Sequence, residues 1–275
     1  MIISVASGKG GTGKTLIATS LAFSIGENVQ LLDCDVEEPN SHIFIKPQNK
    51  KTETVAVMVP RVDESLCDYC GKCSEVCEFN CIVVAKQKVL IFDNLCHACG
   101  GCVLFCPKKA IREEKREIGK LETGDRDGIR LVTGILNVSE AMAIPVISAV
   151  KNKTDKNKTV IIDSSPGTSC PMVAAVKGSD YCLLVTESTP FGLYDLSLAF
   201  EVVKKIGLPA GLVINKYDSG FGELEEYCKK VGLPVLLKIP EERKIAEVYS
   251  RGENLVEVFP EYKSKFIELF ERIRK

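Results

Sequence analysis

Gly8-Lys9-Gly10-Gly11-Thr12-Gly13-Lys14-Thr15 follows a short apolar run, Ile2, Ile3, Val5 and Ala6, and precedes Leu16, Ile17, Leu21, Ala22 and Ile25 at helical spacing. A strand, a glycine-rich turn and a helix, in that order, form the setting in which G-x-x-x-x-G-K-[ST] binds phosphate. The glycines let backbone N–H groups turn inward around phosphate oxygens, and the helix aims its N-terminus at the anion. Gly8, Gly13, Lys14 and Thr15 occupy the fixed positions, with Lys9, Gly10, Gly11 and Thr12 between them. Lys14 is expected to reach the β- and γ-phosphates of ATP or ADP, and the Thr15 hydroxyl to bind Mg²⁺.

Outward from this loop the chain alternates between apolar runs and helical patterns. Val29 to Leu32 ends at Asp33-Cys34-Asp35, Val160-Ile161-Ile162 precedes Asp163, and Leu183-Leu184-Val185 precedes Thr186. Leu212-Val213-Ile214 precedes Asn215, and Val235-Leu236-Leu237 leads to Ile239-Pro240. Apolar strands that each end in a polar residue predict a doubly wound α/β domain with a mostly parallel sheet, whose ligands sit at the carboxyl ends of the strands. Lys46 to Thr54 is polar, Val55 to Val59 reads as a short strand, and Lys108 to Lys120 reads as a charged seam or a solvated helix face.

Composition narrows the function classes. The chain has 275 residues, 45% of them hydrophobic, and 36 basic against 37 acidic side chains. A net charge of −1 gives no electrostatic reason to expect a nucleic-acid partner. No apolar run approaches the roughly 20 residues that span a bilayer. The N-terminus has no charged region ahead of an apolar one, so a signal peptide is not expected.

Cysteine is the outlier, with 13 residues and no Trp. Nine of the cysteines lie between Cys67 and Cys106. A disulfide scaffold belongs in a short secreted chain, so this clustering points to metal in a reducing cytoplasm. Cys67, Cys70, Cys73 and Cys77 read C-x2-C-x2-C-x3-C, and Cys96, Cys99, Cys102 and Cys106 repeat it with Pro107 added. Zinc sites are fed by CxxC pairs, which leaves the third cysteine of each run without a place.

The duplicated run resembles bacterial two-cluster ferredoxins. That resemblance implies a small α+β iron–sulfur domain over residues 60–115, inserted into a discontinuous ATPase domain of residues 1–59 and 116–275. It also implies two [4Fe-4S] clusters, because the fourth cysteine of each run ligates the other cluster. Cys67, Cys70, Cys73 and Cys106 then hold one, and Cys96, Cys99, Cys102 and Cys77 the other. Glu78 stands where the first run would carry a proline. Cys81 lies outside both runs and is expected to be a small buried apolar side chain, with a spare or alternative ligand as the other reading. His97 sits between Cys96 and Cys99 and is expected to be exposed, with a hydrogen bond near a cluster as the other reading.

The loop K-G-G-T-G-K-T, with its second lysine Lys9, resembles the deviant Walker A motif of the MinD/ParA family. In that family the earlier lysine crosses a nucleotide-bound dimer to the partner's phosphates, so Lys9 is a candidate catalytic residue together with Lys14, Asp35 and Asp163. The resemblance gives Asp35 a water or Mg²⁺ to position and makes Asp163 the Walker B carboxylate, followed by a switch at Pro166-Gly167. It places Asn215 and Pro240 against adenine. Asp33 serves equally as a cap for the next turn. Nitrogenase iron proteins share this architecture and carry an interfacial cluster on a cysteine after the switch. Cys170 is seven residues beyond Asp163, a longer spacing than theirs, and reads as a packed or reactive thiol. Phe259, Tyr262, Phe266, Leu269, Phe270 and Ile273 form an apolar stripe that is expected to pack on its own domain rather than anchor to a membrane.

The combined reading is a cytoplasmic, slow Mg²⁺-dependent ATPase that acts as a nucleotide-dependent homodimer or a heterodimer with a close paralogue. It gates electron transfer to a redox partner protein. The alternatives are an iron–sulfur assembly or carrier ATPase, which typically shows a C-terminal CxxC, and a MinD/ParA-like spatial organiser whose clusters are sensory.

Overall fold

The structure, a computed structural model, describes residues 1–274. Eleven strands are present among them: β1 (Ile2–Ala6), β2 (Val29–Cys34), β3 (Gln48–Val62), β4 (Ile82–Ala85), β5 (Lys88–Ile91), β6 (Ile111–Arg126), β7 (Ile129–Leu136), β8 (Thr159–Ser164), β9 (Tyr181–Glu187), β10 (Ala210–Tyr217) and β11 (Val235–Pro240). The helices are α1 (Lys14–Ile25), α2 (Ser41–Ile45), α3 (Lys72–Glu75), α4 (Gly101–Leu104), α5 (Ile144–Lys151), α6 (Cys170–Val176), α7 (Pro190–Ile206), α8 (Glu223–Val231), α9 (Arg243–Ser250), α10 (Leu255–Val258) and α11 (Glu261–Arg274).

Nine strands make one sheet in the order β11-β10-β9-β1-β8-β2-β7-β6-β3. From β11 to β7 every pairing is parallel. Side chains alternate across it because successive Cβ atoms point to opposite faces. Ile3, Val5, Leu31, Ile161, Leu183 and Val213 pack with Leu16, Ile17 and Leu21 of α1 and with Phe266 and Leu269 of α11. On the opposite face Leu32, Val160 and Ile162 meet Val146, Ile147 and Val150 of α5. Further along, Leu184, Leu212 and Ile214 meet Leu196, Ala199 and Val203 of α7. Burial on both faces is why these strands read as continuous apolar runs. The stripe on α11 is spent on this core: Tyr262, Phe266, Leu269, Phe270 and Ile273 are all buried. No helix among the described residues is long and apolar enough to cross a membrane.

The β3–β6 edge differs from the sequence reading. Lys46 to Thr54 and Lys108 to Lys120 were expected to lie outside regular strands, with only Val55 to Val59 extended. Instead β3 runs for 15 residues and β6 for 16, paired antiparallel, with β6 also antiparallel to β7. A charged, half-exposed strand carries no apolar run, so alternation of hydrophobicity does not reveal it. Only Gly119 to Arg126 of β6 pairs with β7. Beyond Gly119 the two strands pair with each other alone and lead away from the parallel sheet.

Between Val62 and Ile111 the chain forms α3, β4, β5 and α4. Asp63 N–H donates to the Ala110 carbonyl at 2.7 Å where the chain departs and returns. Arg61 makes a two-pronged contact with Asp93, 2.7 Å at each nitrogen, fastening β3 to the turn after β5.

Candidate functional site: a phosphate loop and two cysteine cavities

The loop joining β1 to α1 depends on glycine at two places for different reasons. Gly13 sits at φ +92°, and a Cβ there would lie 2.3 Å from the Asn215 amide nitrogen. Gly8 lets the backbone of α7 approach, since a Cβ there would lie 2.1 Å from the Asp195 carbonyl oxygen. Asn215 Nδ2 donates to the Thr12 carbonyl at 2.9 Å, so the end of β10 holds the loop in shape. Lys14 and Thr15 are buried at the first turn of α1.

Three carboxylates gather beside them at the ends of β2 and β8. Thr15 Oγ1 donates to Asp163 Oδ2 at 2.6 Å, and Ser41 Oγ donates to the same oxygen at 3.3 Å. The other oxygen, Asp163 Oδ1, is buried and has no partner among the described residues. Asp33 accepts from the backbone N–H of Asp35 at 3.2 Å and of Ser41 at 3.0 Å, so it shapes the turn as a cap. Burial pushes the Asp163 carboxyl up, against the pull of Lys14, Thr15 and Ser41. It pushes Asp33 up as well, and Asp163 adds to the effect. Asp35 is pushed up to about 7 by burial, with Lys14 opposing and Asp163, Glu38 and Glu37 adding to it. Asp35 and Asp163 beside the Lys14 ammonium, with the partnerless Asp163 oxygen and the Thr15 hydroxyl, form a donor set suited to a hard divalent cation such as Mg²⁺.

A cavity of about 300 Å³ opens above the loop, the lower end of the range for small-molecule sites. Lys14, Thr15, Asp35 and Pro166 line its phosphate end, and Asn215, Ile245, Ala246 and Tyr249 the far end. The Tyr249 ring stacks on Phe44 at 4.9 Å. Pro240 ends β11 and lies outside this lining, whereas Ile245, Ala246 and Tyr249 of α9 supply the apolar wall. The sequence reading names none of the three, although Ile245 and Tyr249, four residues apart just after Pro240, have the spacing of one helix face.

Lys9 lies at the loop's edge, and its ammonium pairs with Glu187 at the end of β9. Glu187 also takes Lys216 at 3.1 Å, and Lys216 donates to the Gly11 carbonyl at 3.3 Å. Burial raises the Glu187 carboxyl, but the hydrogen bonds from Lys9 and Lys216 outweigh it and hold it below its usual range. After Asp163, the Gly167 N–H donates to the Ser7 carbonyl at 2.9 Å, tying the Pro166-Gly167 turn to the phosphate loop. Cys170 is exposed at the start of α6.

The two cysteine runs repeat as backbone and not only as sequence. Tyr69 and Ala98, at matching places, have φ of +58° and +53°. Gly71 and Gly100 follow at +80° and +71°, then the single-turn helices α3 and α4, then Asn80 and Lys109, both at +51°. Left-handed residues other than glycine persist only where their surroundings fix them. Cys67, Cys70, Cys73 and Cys106 line one cavity, with Val62 and Ile111 behind them. Cys77, Cys96, Cys99 and Cys102 line a second, together with Cys81. The Tyr69 N–H points at Cys67 Sγ at 3.4 Å and the Ala110 N–H at Cys106 Sγ at 3.3 Å. His97 is exposed and its ring stacks on Phe79 at 3.7 Å. No three His, Cys, Asp or Glu side chains among the described residues converge on one point as they would around a single metal ion.

Residues 3–256 match the CobQ/CobB/MinD/ParA nucleotide binding domain. The chain belongs to that family. Two relatives come from Methanocaldococcus jannaschii. MJ0579 is 32% identical over 264 residues, covering 93% of this chain and 91% of its own. MJ0578 is 36% identical over 221 residues, 78% of each. Among solved structures, the septum site-determining protein MinD of Pyrococcus horikoshii, complexed with Mg-ADP, superposes with a TM-score of 0.59 at 21% identity, covering 100% of this chain and 96% of that one. A putative plasmid partition protein of Borrelia burgdorferi, bound to AMPPNP, gives 0.57 at 15% identity over 98% of each chain. These structural likenesses concern the fold. As a MinD/ParA-like, nucleotide-binding P-loop ATPase, the chain carries its family's phosphate loop between β1 and α1, at the carboxyl edge of the sheet where such folds bind ligands.

Proposed function

We propose that this MinD/ParA-like protein is an ATP-hydrolysing iron–sulfur protein, in which nucleotide-driven association of two chains governs electron transfer to a redox partner. The segregation of eight run cysteines into two cavities, four to each, carries this reading. Each of a pair of [4Fe-4S] clusters takes three thiolates from one run and the fourth from the other, and the lining of the two cavities follows that partition. Cys67, Cys70, Cys73 and Cys106 would hold one cluster and Cys77, Cys96, Cys99 and Cys102 the other, within a ferredoxin-like unit over residues 60–115. Such clusters supply one-electron transfer when bound. The left-handed turns at Tyr69 and Ala98, and the N–H groups aimed at Cys67 Sγ and Cys106 Sγ, support this reading, because such donors suit sulfurs that ligate a cluster. Around the phosphate loop, Thr15, Asp35 and Asp163 would hold Mg²⁺ and its water, and Lys14 the β- and γ-phosphates.

Lys9 is the proposed link between nucleotide and association. In the single chain its charge is satisfied by Glu187. A phosphate oxygen of a partner's nucleotide competes for that ammonium, so reaching across an interface requires the Lys9–Glu187 contact to open. Binding and association are then linked, and each must strengthen the other. Lys9→Ala is expected to bind ATP as a monomer within a few-fold of wild type. It should lose nucleotide-driven dimerisation and slow hydrolysis by on the order of 10³-fold, as loss of an arginine finger does. Sedimentation with Mg²⁺ and a slowly hydrolysed ATP analogue, run beside a redox titration, checks both halves. Association in wild type with a changed reduction potential, both absent in Lys9→Ala, supports the reading. No association in wild type removes the role of Lys9 across an interface.

A spatial organiser, in which nucleotide-bound dimers mark a surface, is the second reading. The structural likeness to MinD and to a plasmid partition protein favours it. Association that leaves the potential and partner affinity unchanged is its signature. MJ0578 and MJ0579 in one organism show that chains of this kind coexist, so the second chain of a dimer is either a copy or a close paralogue.

A further inference from the structure

The second cysteine cavity holds one thiol more than the first. Cys81 lines it with Cys77, Cys96, Cys99 and Cys102, yet belongs to neither run. The internal repeat shows what the position requires. Cys81 stands four residues after Cys77, and the residue four after Cys106 is Ala110. Ala110 lines the first cavity just as Cys81 lines the second, and the two are 2% and 3% exposed. A buried methyl group therefore satisfies the packing at this place. The sulfur of Cys81 is additional, and it meets another sulfur: Cys81 Sγ lies 3.3 Å from Cys77 Sγ. The expectation of a merely apolar filler does not account for that contact.

We infer that Cys81 is a fifth, substitute ligand of the second iron–sulfur site, able to take the place of Cys77. This rests on the iron–sulfur reading above. The two sulfurs are close enough that changing ligand is a matter of side-chain rotation, with the backbone kept in place by the Phe92 N–H donating to the Cys81 carbonyl at 2.8 Å. In the exchange, Cys81 gives its thiol proton to solvent as its sulfur–iron bond forms, and Cys77 takes one up as its own bond breaks. Net charge and electron count are unchanged. With Cys77 in place, the Cys81 S–H donates to the Cys77 sulfur, a weak hydrogen bond that the first site cannot make because Ala110 has no such group.

The test exploits the asymmetry between the sites. Iron and acid-labile sulfide are counted per chain in anaerobically purified full-length protein, with EPR of the reduced state, and ATP binding reports that each variant is folded. Cys106→Ala has no spare thiol and should fall from about eight irons to about four. Cys77→Ala should keep about eight, and Cys77→Ala combined with Cys81→Ala should fall to about four. Loss of four irons from Cys77→Ala alone, matching Cys106→Ala, overturns the inference. Retention of about eight irons by the double variant overturns it too, because Cys81 would then not be what rescues the site. Wild type without iron removes the underlying reading instead, which keeps the two failures distinct.

Discussion

Lys14→Ala is expected to weaken ATP binding by on the order of 100-fold, from the loss of charge-assisted hydrogen bonds worth about 3 kcal/mol in total to the β- and γ-phosphates. Its ammonium is buried at the first turn of α1, pre-aimed by the helix and the glycine turn. A second effect follows from its neighbours. Lys14 is the cation that pulls Asp35 and Asp163 toward ionisation against burial. Without it, Asp35 and Asp163 lose the cation that offsets their burial, and the variant should also melt at lower temperature than wild type in the absence of nucleotide. Titration calorimetry with ATP and Mg²⁺, beside thermal melts, measures both. Affinity within three-fold of wild type would show that the loop does not hold phosphate through this residue.

Asp163→Asn separates binding from chemistry. Asparagine keeps an oxygen where Thr15 and Ser41 donate. It replaces the buried partnerless Oδ1 and the charge that would hold the cation's water. Nucleotide affinity should stay within a few-fold, while hydrolysis falls by on the order of 10²–10³-fold, the usual cost of removing one preorganised charge-stabilising group. Asp35→Ala should behave in the same direction, because Asp35 lines the cavity between Lys14 and the end of β2. Steady-state phosphate release set against equilibrium binding decides this. Unchanged hydrolysis in both variants would move the catalytic centre elsewhere.

The parts of this molecule that are legible in its sequence are those that work through backbone conformation or burial on both faces of a sheet. A phosphate loop needs glycines at set places, so Gly8 and Gly13 advertise it. Buried parallel strands must be apolar on both faces, so β1, β2, β8, β9 and β10 stand out. Asp33 was open to a capping role, and it does shape its turn. What stayed hidden depends on contacts distant in sequence or on strands without an apolar face. The Lys9–Glu187 pair joins residues 178 apart. The β3–β6 ribbon is charged along much of its length, with five exposed or half-exposed positions in a row from Arg112 to Arg116. The apolar wall of α9 looks like any amphipathic helix until the fold sets it over the phosphate loop. Asn215 lines the cavity and also holds the loop through its bond to the Thr12 carbonyl, a contact between residues 203 apart in sequence. Pro240 falls outside the cavity because β11 ends before the chain turns into α9. The sequence alone gives Cys81 and Ala110 matching places in the repeat, but the 3.3 Å approach of Cys81 Sγ to Cys77 Sγ appears only in the fold.

Anaerobic purification of the wild-type chain, with iron and labile sulfide counted per polypeptide and EPR recorded after reduction, decides whether the two cysteine cavities hold iron–sulfur clusters. Two four-thiol sites predict about eight irons, about eight sulfides and the interacting signals of two reduced clusters in one chain. Zinc in place of iron, or a chain that binds ATP yet carries neither metal nor sulfide after anaerobic growth, would contradict the iron–sulfur reading.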